Sequence, residues 1–585
     1  MNSIKQKKGH SFMGNVAIIL FAQIMVKVLG MVYRMVITNI DGFGNAGNGF
    51  YNAGFQVYTV LLAISSVGIP NAIAKMVSER GALNDWAGAH RIFKTALWLF
   101  SVIGLVCTAV LYVGADFIAV HIMNMDGAQY VMRALAPSLF FVCISSVIRG
   151  YFQGLNDMRA TSLSQMLEQV FKCALTILFV VLAAGNMPQI MQFITKSAML
   201  YGGNSVDALP EIMAAWANAA SSVATMLSFL YLLMFYYRNK KSIDLRISRS
   251  LPSENNHSAR KLVMMILMLS VPISLASIIT ALNRVVDLAT ITRGIETAFA
   301  SGIPAIGNMA AIASPTAAQL NSAAVTLSGM LSKSDTLFNM PLALNIAFAT
   351  VLVPSIAGAL AKGDNKEACE KTSYSFLISI ILILPCAIGY IVLSEPIYKI
   401  IYPATPDGAD LLSIMSVALV FSALTQTITG ALQGIGKVFV PAVSILVGCV
   451  CKVALNLLLI RIPEVNIYGA AISSIVCQVA AFLVNFIVLI KYIPVKITLS
   501  KYIVKPLLCG GIMGVLALAV YKLAVMITGV GYLQNLVATL VSIVVAAIIY
   551  LALIFITHTM DQNDILLLPA GNRIYSFLTR IGLYK

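Results

Sequence analysis

Apolar runs of around 20 residues recur along this chain from Phe12 to Ile556, and no other feature narrows its fold so sharply. A helix needs about that length to cross the hydrocarbon core of a bilayer. Lipid offers no partner to a bare backbone amide or carbonyl, so each run must close its own hydrogen bonds as a helix. The reading is an all-α polytopic membrane protein of about 14 transmembrane helices. Spans fall near 13–38, 52–77, 93–114, 129–149, 161–184 and 211–236, then 263–291, 335–361, 372–393, 409–430, 438–460 and 467–490. Two more lie near 504–525 and 533–557. Only 11% of the 585 residues are charged, against roughly a quarter in soluble domains. The stretch 283–334 is rich in small residues and reads as a long loop or a partly helical excursion.

The net charge of +16 raises the question of nucleic acid. Basic residues cluster at alternate loop ends, with about 25 Lys and Arg on one side of the membrane and roughly 7 on the other. That bias places both termini in the cytoplasm, in a cell membrane, and absorbs most of the charge. Met1–His10 is polar and basic, with no small-residue cleavage site after it, so the first apolar run reads as a span rather than a leader. The nine cysteines lie mostly in apolar runs, and none forms a CxxC. They read as buried thiols, not as zinc ligands or disulfides.

The chain repeats itself. Gly150-Tyr-Phe-Gln-Gly154 returns as Gly430-Ala-Leu-Gln-Gly434, and Gly68-Ile-Pro70 returns as Leu352-Val-Pro354 at a similar offset. Two pseudo-symmetric six-helix lobes in parallel orientation explain both matches, and such repeats carry their substrate site between them near the midplane. The expected organisation is an N-lobe over 1–237, a basic cytoplasmic connector over 238–262, a C-lobe over 263–492, and two further helices with a tail over 493–585.

An ATP-driven device is excluded at Gly434-Ile-Gly436-Lys437, where Ala431 and Val438 stand in place of the first glycine and the Ser or Thr of a P-loop. No HExxH occurs, the five histidines are scattered, and no cofactor is expected. The informative residues are charges inside spans, each costing roughly 2.5–3.5 kcal/mol at a helix centre unless it faces a cavity or a partner. Lys27 and Arg34, seven residues apart, share one face of the first span, with Gln23 a turn earlier. In the fifth span Glu168 and Lys172 are an i,i+4 pair, either a self-neutralising structural bridge or a functional one. Lys452 is the repeat partner of Lys172, but Gly448 stands where Glu168 would be; it lines a cavity or snorkels to the interface. Arg284 and Asp287 near the end of the seventh span, Lys75 beside Glu79, and Asp335, read as the opening residue of the eighth, complete the candidates. Arg284 and Asp287 alternatively mark an ordinary interfacial helix end. Lys27, Arg34, Arg284, Lys452 and Lys75 are the candidate substrate-binding cations, and Glu168, Lys172, Asp287 and Asp335 the candidates for charge pairing or coupling. Such a set attracts an anion, and phosphate suits Lys and Arg donors. The membrane potential or an ion gradient would then drive it.

Lys27-Val-Leu-Gly30 through Arg34, Gly68-Ile-Pro70-Asn-Ala-Ile-Ala-Lys75-Met-Val-Ser78-Glu79 and Gly150-Tyr-Phe-Gln-Gly154 resemble the stage V sporulation protein B branch of the multidrug/oligosaccharidyl-lipid/polysaccharide exporter superfamily. That branch is similar to the MurJ-like lipid II flippases. The resemblance implies a flippase, not an enzyme, for an undecaprenyl-pyrophosphate-linked peptidoglycan or polysaccharide precursor. It also implies a monomer working beside membrane lipids and cell-wall synthesis proteins, with no nucleic acid. Essential basic residues of the family's first span match Lys27 and, within one residue, Arg34. Two departures stand out: Thr336 follows Asp335 where the family has arginine, and Leu62-Ala63 occupies the region of a second-span arginine. Arg284 or Lys75 is the candidate replacement. The competing class is a cation-coupled drug exporter of the same superfamily, which would show unpaired intramembrane carboxylates. A membrane-embedded transferase would need carboxylate or histidine clusters in a large loop, and the sequence has none.

Overall fold

A computed structural model describes residues 12–64, 68–155, 157–185, 208–250, 258–304, 311–361, 364–437, 439–495, 498–529, 531–566, 571–580 and 582–584. Its regular structure is helical, with α1 (Phe12–Thr38), α2 (Gly44–Leu62), α3 (Ile69–Ala82), α4 (Trp86–Phe117), α5 (Ala128–Gly154), α6 (Arg159–Gly185), α7 (Ala208–Ser248) and α8 (Ala259–Ala298). There follow α9 (Ala317–Ala361), α10 (Asn365–Ile401), α11 (Ala409–Gly434), α12 (Val440–Leu459), α13 (Asn466–Tyr492), α14 (Lys505–Thr528) and α15 (Tyr532–Ile556). Two short helices, α16 (Gln562–Leu566) and α17 (Gly571–Arg580), close the chain. Helices stand at every expected span. Among the described residues, ten are long and apolar enough to cross a membrane: α4 to α7 and α10 to α15. The other four positions are held by α1, by α2 with α3, by α8 and by α9.

The chain forms two compact units, Met1–Ile303 with Ile312–Gly329, and Pro304–Ala311 with Met330–Lys585. In the first unit, the core packs α2, α4, α5 and α7 around Tyr51, Leu111, Met132 and Met213. A second cluster joins α3, α4 and α5 through Ile73, Phe93 and Tyr151. Small residues make these approaches possible, because lipid gives helices no hydrophobic reason to associate and packing must do it. A Cβ on Gly150 would sit 2.8 Å from the Pro70 carbonyl oxygen, and one on Gly154 2.8 Å from that of Ala74, so this glycine pair seats α5 on α3. In the second unit, α10, α11, α13, α14, α15 and the tail share one core that includes Phe376, Ile428, Tyr550 and Leu578. Lys501 bridges Asp561 and Asp564 at 2.5 and 2.7 Å, and the Tyr584 hydroxyl donates to the Met560 carbonyl at 2.7 Å. These contacts tie the tail to the start of α14.

Two expectations need correction. Span two is not one helix over 52–77 but two, α2 and α3. Pro70 sits in the first turn of α3, where its missing N–H costs nothing. The amide of Gly68 donates to Ser274 Oγ of α8 at 3.0 Å, and a side chain there would collide with the Ser270 carbonyl. The break is therefore packed. The second concerns Asp335, because 283–334 takes the partly helical of its two expected forms. Helix α8 continues to Ala298, α9 begins at Ala317, and Ile303 and Ile312 exchange backbone hydrogen bonds of 2.8 and 2.9 Å between them. Residues 305–310, among the small-residue stretches that suggested a loop, lie outside the described residues. A Cβ on Gly329 would strike the Asn45 carbonyl, so this glycine lets α9 approach α2. Asp335 consequently lies inside α9 and does not open it.

Candidate functional site

Helix α1 carries Tyr33 and Arg34 in succession. It lies close to α6 at Gly30, where an added Cβ would be 3.5 Å from Gln169 Nε2. Helix α2 presents Tyr51 and Phe55 one turn apart. The Tyr33 and Tyr51 hydroxyls, both buried, are hydrogen-bonded at 3.0 Å. The Arg34 guanidinium stands 4.3 Å from the centre of the Tyr51 ring. From α6, the Lys172 ammonium lies 5.4 Å from the Tyr33 ring and 5.1 Å from Phe55. Ring faces are negative, so each cation is held by attraction that needs no carboxylate. Both tyrosine hydroxyls interact electrostatically with both cations.

This geometry overturns the expected Glu168–Lys172 bridge. Glu168 Oε2 is taken by Arg149 Nη2 at 2.8 Å. The same guanidinium donates to Ser164 Oγ at 2.9 Å and Ser228 Oγ at 3.2 Å, so α5, α6 and α7 close one polar knot. The knot wins because a bidentate-capable guanidinium with two hydroxyl acceptors satisfies more donors than an ammonium one turn away. Lys172 turns to the aromatic rings instead.

Lys27 is exposed on α1, as is Arg284 on α8, and Arg284 is close enough to repel it. Among the described residues, no carboxylate lies within 4.0 Å of Lys27, Lys172 or Arg284. Asp287 is half-buried one turn after Arg284. Lys75 stands apart, exposed on α3 with its ammonium 4.0 Å from Glu79. Lys452 and Asp335 belong to the second unit, both half-buried. A turn beyond Lys452, the buried Asn456 accepts from Ser473 Oγ at 2.5 Å. The structure thus brings together Lys27 with Arg284, and Arg34 with Lys172.

Two groups escaped sequence reasoning. The tyrosines are one; their signal was an aromatic period at Tyr51, Phe55 and Tyr58 on α2. The other is Lys333, 1% exposed within the second unit. Its ammonium donates to the Thr405 carbonyl at 2.6 Å and lies 5.5 and 5.1 Å from the rings of Tyr398 and Tyr402. Beside it, Ser334 Oγ and the Tyr398 hydroxyl are hydrogen-bonded at 2.7 Å. Lys333 sits one turn beyond Gly329 in an apolar period, a helical signal within the stretch read as a long loop or a partly helical excursion.

Comparison with known proteins now bears on this arrangement. A family described as "Polysaccharide biosynthesis protein" matches residues 12–357, more than half of the chain, and the MatE family matches 319–458. The chain belongs to the polysaccharide biosynthesis protein family. Among its curated relatives in Bacillus subtilis (strain 168), a lipid II flippase MurJ is 26% identical over 504 residues, covering 84% of each chain. The stage V sporulation protein B of the same organism is 23% identical, covering 84% of this chain and 86% of that one. Two solved structures share its fold. One is the lipid II flippase MurJ in an inward closed conformation (TM-score 0.62, 13% identity, 92% of this chain and 98% of that one). The other is an inward-facing multidrug resistance MATE transporter (TM-score 0.61, 14% identity, 82% and 98%). This polysaccharide biosynthesis family member is a multi-pass membrane transporter.

Proposed function

We propose that the chain is a flippase, not an enzyme, and that it moves an undecaprenyl-pyrophosphate-linked saccharide precursor, lipid II-like, from the inner to the outer leaflet. Its site opens to the two leaflets in turn. The observation that carries this reading is that Lys27 and Arg284, two exposed cations, are close enough to repel each other, with no carboxylate within 4.0 Å of either among the described residues. Like charges held together raise each other's energy, and a diphosphate between them would relieve it with charge-assisted hydrogen bonds. The relatives named as lipid II flippases support the same cargo. The Lys and Arg bias of the loops supports cytoplasmic termini, and the recurrence of Gly150–Gly154 at Gly430–Gly434 supports two pseudo-symmetric lobes, each of six spans.

The MatE match over 319–458 favours a second reading, a cation-coupled drug exporter. That chemistry wants a carboxylate free for a cation, and in the first unit Glu168 is already bound by Arg149.

Reconstituted protein with labelled lipid II and a leaflet-accessibility assay tests the proposal. Lys27→Ala and Arg34→Ala should each slow translocation about tenfold, as loss of one charge-assisted contact predicts. Variants that translocate as fast as wild type would remove the anion site from this surface. Efflux of a cationic dye driven by Na⁺ or H⁺, with no lipid II movement, would transfer the assignment to the exporter.

A further inference from the structure

The ion pair that the sequence suggests inside α6 is absent, and what replaces it has a purpose of its own. On an uninterrupted helix Glu168 is the natural partner of Lys172, one turn away. In the structure Arg149 reaches from α5 to hold Glu168 at 2.8 Å, and the same guanidinium also donates to Ser164 and Ser228. Lys172 lies beside the Tyr33–Tyr51 hydroxyl pair, with no carboxylate within 4.0 Å among the described residues.

We propose that Arg149 is a positioning residue: by sequestering Glu168 it keeps Lys172 available as a second cation, beside Arg34, for the diphosphate of a polyprenyl-linked substrate. This rests on the flippase reading and adds a contact and its control to the same site. Arg149 need not touch the substrate. Its effect passes through the choice Glu168 makes between two cations, one on α5 and one on its own helix. Without Arg149, Glu168 turns to Lys172 and cancels it. The Tyr33 and Tyr51 hydroxyls, hydrogen-bonded to each other, keep Lys172 facing an anion rather than the helix surface.

The test is a charge-rescue series on the full-length protein in lipid nanodiscs, with farnesyl diphosphate as probe and binding measured by titration. Inorganic diphosphate and farnesol are separate arms; tight binding of farnesyl diphosphate alone marks a lipid-linked diphosphate, and equal binding of inorganic diphosphate marks a free-anion site. Lys172→Gln should weaken farnesyl diphosphate binding about tenfold. Arg149→Met should weaken it equally, although it leaves every cation around the tyrosines in place. Arg149→Met combined with Glu168→Gln should return binding to within about threefold of wild type. A purely structural role for Arg149 predicts no such recovery, and melting curves of each variant separate misfolding from loss of the site. A folded double variant that binds as weakly as Arg149→Met overturns the positioning role. Wild-type affinity in Lys172→Gln overturns the contact while leaving the flippase reading intact. A wild-type protein that binds no diphosphate overturns both.

Discussion

Lys333 shows how far a single residue can hide from its sequence. Four methylenes and an ammonium are packed under Tyr398 and Tyr402, and one N–H reaches the Thr405 carbonyl at 2.6 Å. Among the described residues no carboxylate lies within 4.0 Å of it, so its worth to the fold is packing plus one hydrogen bond, not an ion pair. Lys333→Ala should cost about 3 kcal/mol, from the void and the orphaned carbonyl together. Lys333→Met keeps the volume and discards the buried charge, and should cost about 1 kcal/mol or less. Thermal unfolding in nanodiscs should rank the proteins wild type, Met, Ala; an Ala variant as stable as wild type would show that the amine is not packed there. The seven-residue interval marked Lys27 and Arg34 as candidates on one helix, but not their different neighbours, Arg284 for one and the Tyr51 ring for the other. Partners chosen across helices were not legible, because the local partner of Glu168 is Lys172 and only tertiary packing brings Arg149 to it.

At the scale of elements, the hydrophobic runs placed every span, since a membrane helix is set by length and apolarity with little help from its neighbours. What the runs missed was the break at Gly68-Ile-Pro70, and they left open how much of 283–334 is helix. Glycine and alanine read as loop formers in water, but between helices in lipid they are contact residues. Gly68 and Gly389 give a matched test of that distinction. Gly68 has the Ser270 carbonyl against its missing Cβ, whereas an added Cβ on Gly389, inside α10, meets nothing within 4 Å. Gly68→Ala should destabilise the protein by roughly 1–3 kcal/mol through overpacking. Gly389→Ala should stabilise it by about 0.4–1 kcal/mol through the lost freedom of the unfolded chain. Melting temperatures that move the same way in both variants would contradict the assignment of Gly68 as a packing contact.

At the scale of the whole molecule, the proposed diphosphate cargo would set the energy source. If the proposed cationic site carries a diphosphate, what differs between loaded and empty crossings is the diphosphate's own charge. A cargo of about two negative charges moving outward down an inside-negative potential gains roughly 2.3 kcal/mol per charge for each 100 mV, or on the order of 5 kcal/mol. That biases a transport cycle without ATP, and the chain has no P-loop to use it. In vesicles of uniform orientation, a valinomycin-clamped K⁺ gradient that makes the cytoplasmic face negative should accelerate translocation of lipid II. Reversing the gradient should slow it, and collapsing it should leave a slower, undirected exchange. Neutralising Lys172 or Arg34 changes the charge that crosses with the cargo, so these variants should respond to voltage with a different slope as well as a lower rate. A rate indifferent to the sign of the potential, yet stimulated by a Na⁺ or H⁺ gradient at zero voltage, would mean that cations are coupled directly. The carboxylate that binds them would then have to lie outside the Arg149–Glu168 pair.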